Sequence, residues 1–326
     1  MSDTLFDRFR RTLPELPLLA AEPLAKHTSF RIGGPAELLA APRSEEELAA
    51  LLAACRAEGI TPRILGGGTN ILAPDEGVPG LVISTRGLDR LELIPPCRDG
   101  ASPSGLPQAN DRPEDDSSPE SGGMIVAGAG VPLARLALFA QKQGLTGLEF
   151  AHGIPGTVGG GVYMNAGAYG GEMVQVVTEV RFLRPDGTVA CFRGEELGLR
   201  YRHSAFMERD GIILSARFRL QPGDPETVLA RMRELMERRR ASQPLDLTSA
   251  GSTFKRPVGG YAAALIQEAG LKGFRVGGAA VSEKHSGFVV NLGGATGADV
   301  LTLIARVRET VKAKSGIELE PEVRIW

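Results

Sequence analysis

"ILGGGTNIL", residues 64–72, decides how this chain is read. Three consecutive glycines follow two aliphatic residues and lead through Thr69 and Asn70 to Ile71 and Leu72. A glycine run costs backbone entropy, so it is kept where the chain must bend left-handed or where something approaches the backbone closely. The preceding "TPRIL" has the apolar character of a short strand. Strand, glycine loop and a second apolar pair is the order of a phosphate-cradling turn, in which successive N–H groups form an anion nest. The two commoner glycine signatures fail on spacing. "GGGTNIL" is not GxGxxG, "GAGVPL" at 128–133 lacks the third glycine, and GxxxxGK[ST] is absent.

A second glycine-dense loop, "GIPGTVGG", occupies 153–160. A diphosphate lying between the two loops takes donors from both, with Thr69 and Asn70 adding side-chain hydrogen bonds. For either loop alone, a tight turn between packed strands explains the glycines as well. Around the loops the pattern is α+β. Ser44 opens an amphipathic helix with Glu47 placed for a capping box, and Gly59 closes it. "VPLARLALFAQKQG" is a helix with Pro132 in its first turn. "VVTEVRFLRPDGTVACF" is a hairpin across Pro-Asp-Gly, and "GIILSARFRL" alternates as a strand. Residues 96–123 are rich in Pro, Ser, Gly and acids, a composition that cannot offset its ordering entropy. They are expected to be a disordered insertion between strands. After "QPGDPE" come a basic amphipathic helix, "ETVLARMRELMERRRAS", two further helices and the strand "SGFVVNLG". This second unit is expected to be a small α/β domain.

The 326 residues carry a formal net charge of -2 and only 5% aromatics, which argues against a nucleic-acid partner. Cys55, Cys97 and Cys191 have no CxxC spacing, and the four histidines have no HxxxH or HExxH pairing, so no metal centre is expected. The charged, proline-broken start is no signal peptide, and no apolar run approaches the roughly 18 residues that cross a bilayer. A small-molecule partner, a cytoplasmic location and no membrane association follow.

Six stretches then occur in order: "TSFRIGGPAE", "ILGGGTNIL", "GLEFAHGIPGTVGGGVYMNAGAYGGE", "LRYRHSAF", "AGSTFKRP" and "EPEVRIW". Together they resemble the UDP-N-acetylenolpyruvoylglucosamine reductase (MurB) family of peptidoglycan synthesis, from about residue 27 to the end. The resemblance implies an α+β chain. It would have a two-subdomain FAD-binding fold of the vanillyl-alcohol-oxidase and p-cresol-methylhydroxylase type over 1–221, a smaller α/β substrate-binding domain over 222–315, and a tail, 316–326, returning to the active site. It implies noncovalent FAD, since no histidine lies in or near "ILGGGTNIL"; His152 flanks the second loop and leaves covalent attachment open. It also implies NADPH as hydride donor, a sugar-nucleotide substrate, and a short-form monomer without the tyrosine-bearing loop of some members.

The family's reaction passes hydride from the flavin N5 to C3 of an enolpyruvyl ether and a proton to C2. Charge that develops toward the carboxylate must be held meanwhile. By resemblance, Ser252 is the proton donor, Arg202 contacts the substrate carboxylate, and Glu322 holds a proton near C2 or orients a donor. Lys255 and Arg256 stabilise the serine or reach the substrate diphosphate. Tyr169, Asn165, Gln243 and His285 line the sugar-nucleotide pocket. FAD is expected on Gly66, Gly67, Gly68, Thr69, Asn70, Gly128, Gly153, Ile154, Gly156, Thr157 and Gly159, with Arg324 on the face of Glu322. Read without the family, Ser252 serves a turn after Gly251 and Glu322 is a solvated acid. The rival functions are an FAD-dependent oxidase on the same scaffold and a noncatalytic flavin carrier.

Overall fold

The computed structural model describes residues 3–94 and 122–326. The expected insertion at 96–123, save its last two residues, lies outside the described residues, as does Cys97.

A four-stranded sheet comes first, in the order Leu18–Pro23, Pro35–Ala40, Val78–Ser84, Arg63–Leu65. Its first pair is antiparallel and the other two pairs are parallel. The parallel pairing needs a crossover, and the helix Glu45–Ala57 provides it, burying Leu48, Leu51, Leu52 and Cys55. Ser44 caps that helix by accepting from the Glu47 amide at 3.2 Å. The Glu47 carboxylate reaches past Ser44 to the Arg43 amide at 2.7 Å, so the expected reciprocal box is only half formed.

The second sheet runs Val189–Arg193, Val177–Leu183, Ile212–Pro222, Gly123–Gly128, Leu91–Ile94, antiparallel throughout. Its first two strands are the hairpin expected across Pro185-Asp186-Gly187, where the Gly187 amide donates to the Arg184 carbonyl at 2.9 Å. The helix Leu133–Lys142 buries Leu133, Leu136, Ala137 and Ala140 beneath this sheet. The helix Pro225–Ser242 contributes Val228 and Met232 to the same core, although its sequence grouped it with the residues that follow.

The third sheet, Thr248–Ser252, Phe288–Asn291, Ala279–Val281, Arg275–Val276, is covered by the helix Gly297–Ser315. Its core takes in Phe30, Ile32 and Leu72 from the first third of the chain and Leu319 and Val323 from the tail. That shared core fixes the third sheet against the glycine loop. Polar ties act in the same direction. The Asp75 carboxylate accepts from the Gly297 and Ala298 amides at 2.6 and 3.0 Å, and Ser29 Oγ donates to the Ser249 carbonyl at 2.6 Å. The tail threads between both parts: the Glu322 amide donates to the Thr253 carbonyl, and Arg324–Ile325 pairs in parallel with Ile71–Leu72. Among the described residues, no helix is long and apolar enough to cross a membrane, and no group of three or more His, Cys, Asp or Glu could hold a metal ion.

Candidate active site

The two glycine loops meet. A Cβ on Gly67 would lie 2.9 Å from the Gly156 Cα, and one on Gly66 would lie 2.8 Å from the Thr157 Oγ1. Gly68 has φ +67°, and its Cβ would fall 1.9 Å from the His27 carbonyl oxygen. Part of the answer to the glycine run is therefore the protein itself: side chains here would push apart segments that must touch. Thr69 Oγ1 fastens the loops by donating to the Pro155 carbonyl at 3.0 Å.

This junction forms one wall of a cleft of about 1630 Å³. Single-ligand pockets run to about 1,000 Å³, so the space suits a dinucleotide together with a second ligand. The residues fit FAD on an observation independent of motif. Thr157 Oγ1 is buried and has no hydrogen-bond partner among the described residues, a donor left over at the point where the loops converge. Gly66, Gly67, Gly68, Thr69, Asn70, Ile154, Gly156, Thr157, Gly159 and Arg324 all line the cleft. The Gly159 amide, however, is already given to the Ala129 carbonyl at 2.9 Å. Gly128 and Gly153 are not on the lining. A Cβ on Gly128 would strike the Leu88 carbonyl oxygen at 2.2 Å, and one on Gly153 would strike Arg239 Nε at 2.8 Å. Both glycines make room for protein groups. His152 also lies off the lining.

The same cleft carries the polar chemistry, joined to the first glycine loop where Asn70 Nδ2 donates to the Glu322 carbonyl at 3.2 Å. Arg202, Ser252 and Glu322 all face the cleft, brought there by a loop, a strand end and the tail. Arg202 Nε donates to Glu322 Oε1 at 2.6 Å, and the two side chains are 19% and 13% exposed. Burial pushes the Glu322 carboxyl above its ordinary range; Arg202 and Lys255 oppose that shift without cancelling it. Arg202 has φ +52°, and its guanidinium stands 5.1 Å from the Tyr201 ring centroid. Ser252 ends its strand exposed, directly after Gly251 at φ +77°. Five described non-glycine residues have positive φ, and three of them, Arg31, Tyr169 and Arg202, line this cleft. Strain of this kind collects where function holds it in place.

Of the residues expected to hold the sugar nucleotide, Tyr169, Gln243, Arg256 and His285 line the cleft, and Asn165 and Lys255 do not. Asn165 is fully buried. Its Nδ2 donates to Glu172 Oε2 and the Arg200 carbonyl, each at 3.1 Å, and its Oδ1 accepts from the Val174 amide at 2.9 Å. It shapes the loop that carries Tyr169. Lys255 is ion-paired with Glu320 and faces a second cavity of about 490 Å³ behind the Arg202–Glu322 pair. His285 Nδ1 accepts from the Gly287 amide at 3.1 Å, which leaves the neutral ring's proton on Nε2; burial lowers its pKa and favours that neutral form.

Sequence reasoning missed Arg239. This arginine is buried and lines the cleft, its guanidinium 5.5 Å from the Tyr169 ring centroid. Nη1 donates to Gln243 Oε1 at 3.0 Å, Nε has no partner, and no carboxylate pairs with it among the described residues. The signal was present. Val228, Met232, Leu235 and Arg239 are the buried residues of their helix, spaced 4, 3 and 4 apart, so the arginine sits on the apolar stripe. It was lost in the run "ERRRAS", read as a basic face.

Comparisons with known proteins converge on one family. The family model for the C-terminal domain of UDP-N-acetylenolpyruvoylglucosamine reductase matches residues 243–326, and an FAD binding domain model matches 36–192. A UDP-N-acetylenolpyruvoylglucosamine reductase of Caldanaerobacter subterraneus subsp. tengcongensis is 43% identical, covering 100% of this chain and 99% of the relative. One of Agathobacter rectalis is 45% identical over the same shares. The crystal structure of UDP-N-acetylenolpyruvylglucosamine reductase (MurB) from Thermus caldophilus superposes with a TM-score of 0.73 at 35% identity, covering 96% of this chain and 99% of that one.

Proposed function

The chain belongs to the UDP-N-acetylenolpyruvoylglucosamine reductase family, and from that premise we propose that it reduces UDP-N-acetylglucosamine enolpyruvate to UDP-N-acetylmuramate with NADPH and FAD in peptidoglycan precursor synthesis. The observation that carries the reading is the convergence of Arg202, Ser252 and Glu322 on one cleft with two interlocked glycine loops, the first of which donates Asn70 Nδ2 to the Glu322 carbonyl at 3.2 Å.

The loops and Thr157 hold the diphosphate of FAD, which, reduced by NADPH, supplies the hydride taken up at the substrate's C3. The Arg202 guanidinium binds the enolpyruvyl carboxylate and stays charged as negative charge grows there. The Ser252 hydroxyl delivers the proton to C2. Glu322, its carboxyl raised by burial, holds a proton beside that step. Arg239, with Tyr169 and Gln243, binds the anionic part of the sugar nucleotide, and His285 offers its Nε2–H in the same pocket. Residues 1–221 hold FAD and 222–315 the nucleotide, with Arg239 reaching across from a helix packed on the FAD side; the tail 316–326 carries Glu322 to the seam. A cytoplasmic, metal-free monomer belongs to the same proposal.

The test follows NADPH absorbance with purified holoenzyme, with and without UDP-N-acetylglucosamine enolpyruvate. Oxidation that depends on substrate is expected. Ser252→Ala should still allow flavin reduction by NADPH while product formation is lost. Normal turnover by that variant removes the serine from the mechanism, and protein unable to retain FAD ends the reading.

A further inference from the structure

Arg202 is asked to bind a substrate carboxylate, yet its Nε already donates to Glu322 at 2.6 Å. Two carboxylates cannot both stay ionised against one half-buried guanidinium without a large like-charge penalty. We infer that substrate binding exchanges carboxylates on Arg202: the enolpyruvyl carboxylate takes the guanidinium, and the displaced Glu322 takes up one proton from solvent. The inference rests on the proposed role of Arg202.

The surroundings support the exchange. Arg202 and Lys255 are the cations acting on Glu322, and the Lys255 ammonium is committed to Glu320. Arg324 lies two residues along the tail with its guanidinium 5.9 Å from the Tyr163 ring centroid. Tyr201 and His203 face the same second cavity, and His203 Nε2 is 3.0 Å from Glu208 Oε1. Arg200 also lines that cavity, 4.0 Å from Glu208, and Arg202 is the larger of the two cationic influences on Glu322. Burial already favours the neutral carboxyl before any partner is lost. Arg202 and Glu322 line the second cavity, of about 490 Å³, as well as the main cleft.

The proton balance closes over a cycle. One proton enters with the substrate carboxylate and rests on Glu322. The reduction consumes one proton, given by Ser252 to C2, and the proton held on Glu322, whose amide donates to the Thr253 carbonyl beside Ser252, balances it when the serine hydroxyl is restored. Glu322 is then ionised beside the product carboxylate. It repels that group and reclaims Arg202, which favours release.

The experiment is calorimetric titration of oxidised holoenzyme, without NADPH, in buffers of different ionisation enthalpy between about pH 6 and pH 9. UDP-N-acetylglucosamine enolpyruvate should bind with uptake approaching one proton, peaking between the free and liganded pKa of Glu322. UDP-N-acetylglucosamine, which lacks the carboxylate, should bind with none. Glu322→Gln should bind substrate with the uptake abolished. Tight substrate binding with no uptake at any pH overturns the exchange and leaves the Arg202 contact standing, as does uptake unchanged in Glu322→Gln. Substrate that binds no tighter than UDP-N-acetylglucosamine overturns the Arg202 contact itself. The comparison of the two ligands on unaltered protein stands even if the variant does not fold.

Discussion

Arg202 and Arg239 line one cleft, yet the first meets a carboxylate of its own chain at 2.6 Å and the second meets none among the described residues. Arg239 is also the more buried, 8% exposed, and that burial lowers its pKa. A buried charge without a counter-ion costs stability, so a chain keeps one where an external anion completes it. A buried charge with an internal counter-ion is stable alone and binds an external anion only by exchange. On the proposed reading one arginine is an anchor and the other a switch, and the difference lies in their partners and their burial.

The largest expected effect comes from removing the switch. Arg202→Met should lower kcat/KM by about 10²–10³-fold, the loss seen when a charge-stabilising donor is removed from a transition state. Flavin reduction by NADPH, followed separately by stopped flow, should be nearly unchanged.

Removing the anchor should split stability from affinity. Arg239→Met should weaken substrate binding about 10- to 100-fold, the value of a charged hydrogen bond or two. Without ligand it should raise stability by about 1 kcal/mol in urea unfolding, since an uncompensated buried charge is gone. A variant that is both less stable and weaker in binding breaks the comparison and makes Arg239 a packing residue.

The smallest effect is a slope. The folded state holds the Glu322 proton more tightly than the unfolded chain does, so this group's contribution to stability is full below about pH 4.5 and is lost as pH rises through the raised folded value. The unfolding free energy from urea titration of native protein minus that of Glu322→Gln, taken in steps from about pH 4 to pH 8, should decline through that window, by at most about 1.4 kcal/mol per pH unit for one proton. A flat difference means that burial and the ion pair cancel at the carboxyl, and a rising one means that the ion pair governs it.

Much of this was legible in order along the chain. The helices Glu45–Ala57 and Leu133–Lys142, the Pro-Asp-Gly hairpin and both glycine loops follow from local rules of capping, turn chemistry and periodicity. Ten of the expected cofactor positions line the cleft because a loop's neighbours in sequence stay its neighbours in space. Gly128 and Gly153 lie off the lining, and a glycine's need for room does not say what fills it: a carbonyl oxygen in one case, an arginine side chain in the other. Asn165 misled because an amide side chain serves a buried loop as readily as a ligand. Arg239 was readable from its place on an apolar helical stripe, had the stripe been weighed above the charge.

The sequence alone determined the elements, the two glycine turns and the set of residue types able to bind a diphosphate and a carboxylate. Those follow from backbone sterics and side-chain chemistry, which act over a few residues. Tertiary structure alone decided that Glu322 reaches Arg202 across 120 residues, that Lys255 is turned away to Glu320, and that Arg239 is left without a carboxylate. Ionic partnership falls off within a few ångströms and depends on burial. Only packing, which sets both distance and dielectric, could choose the partners.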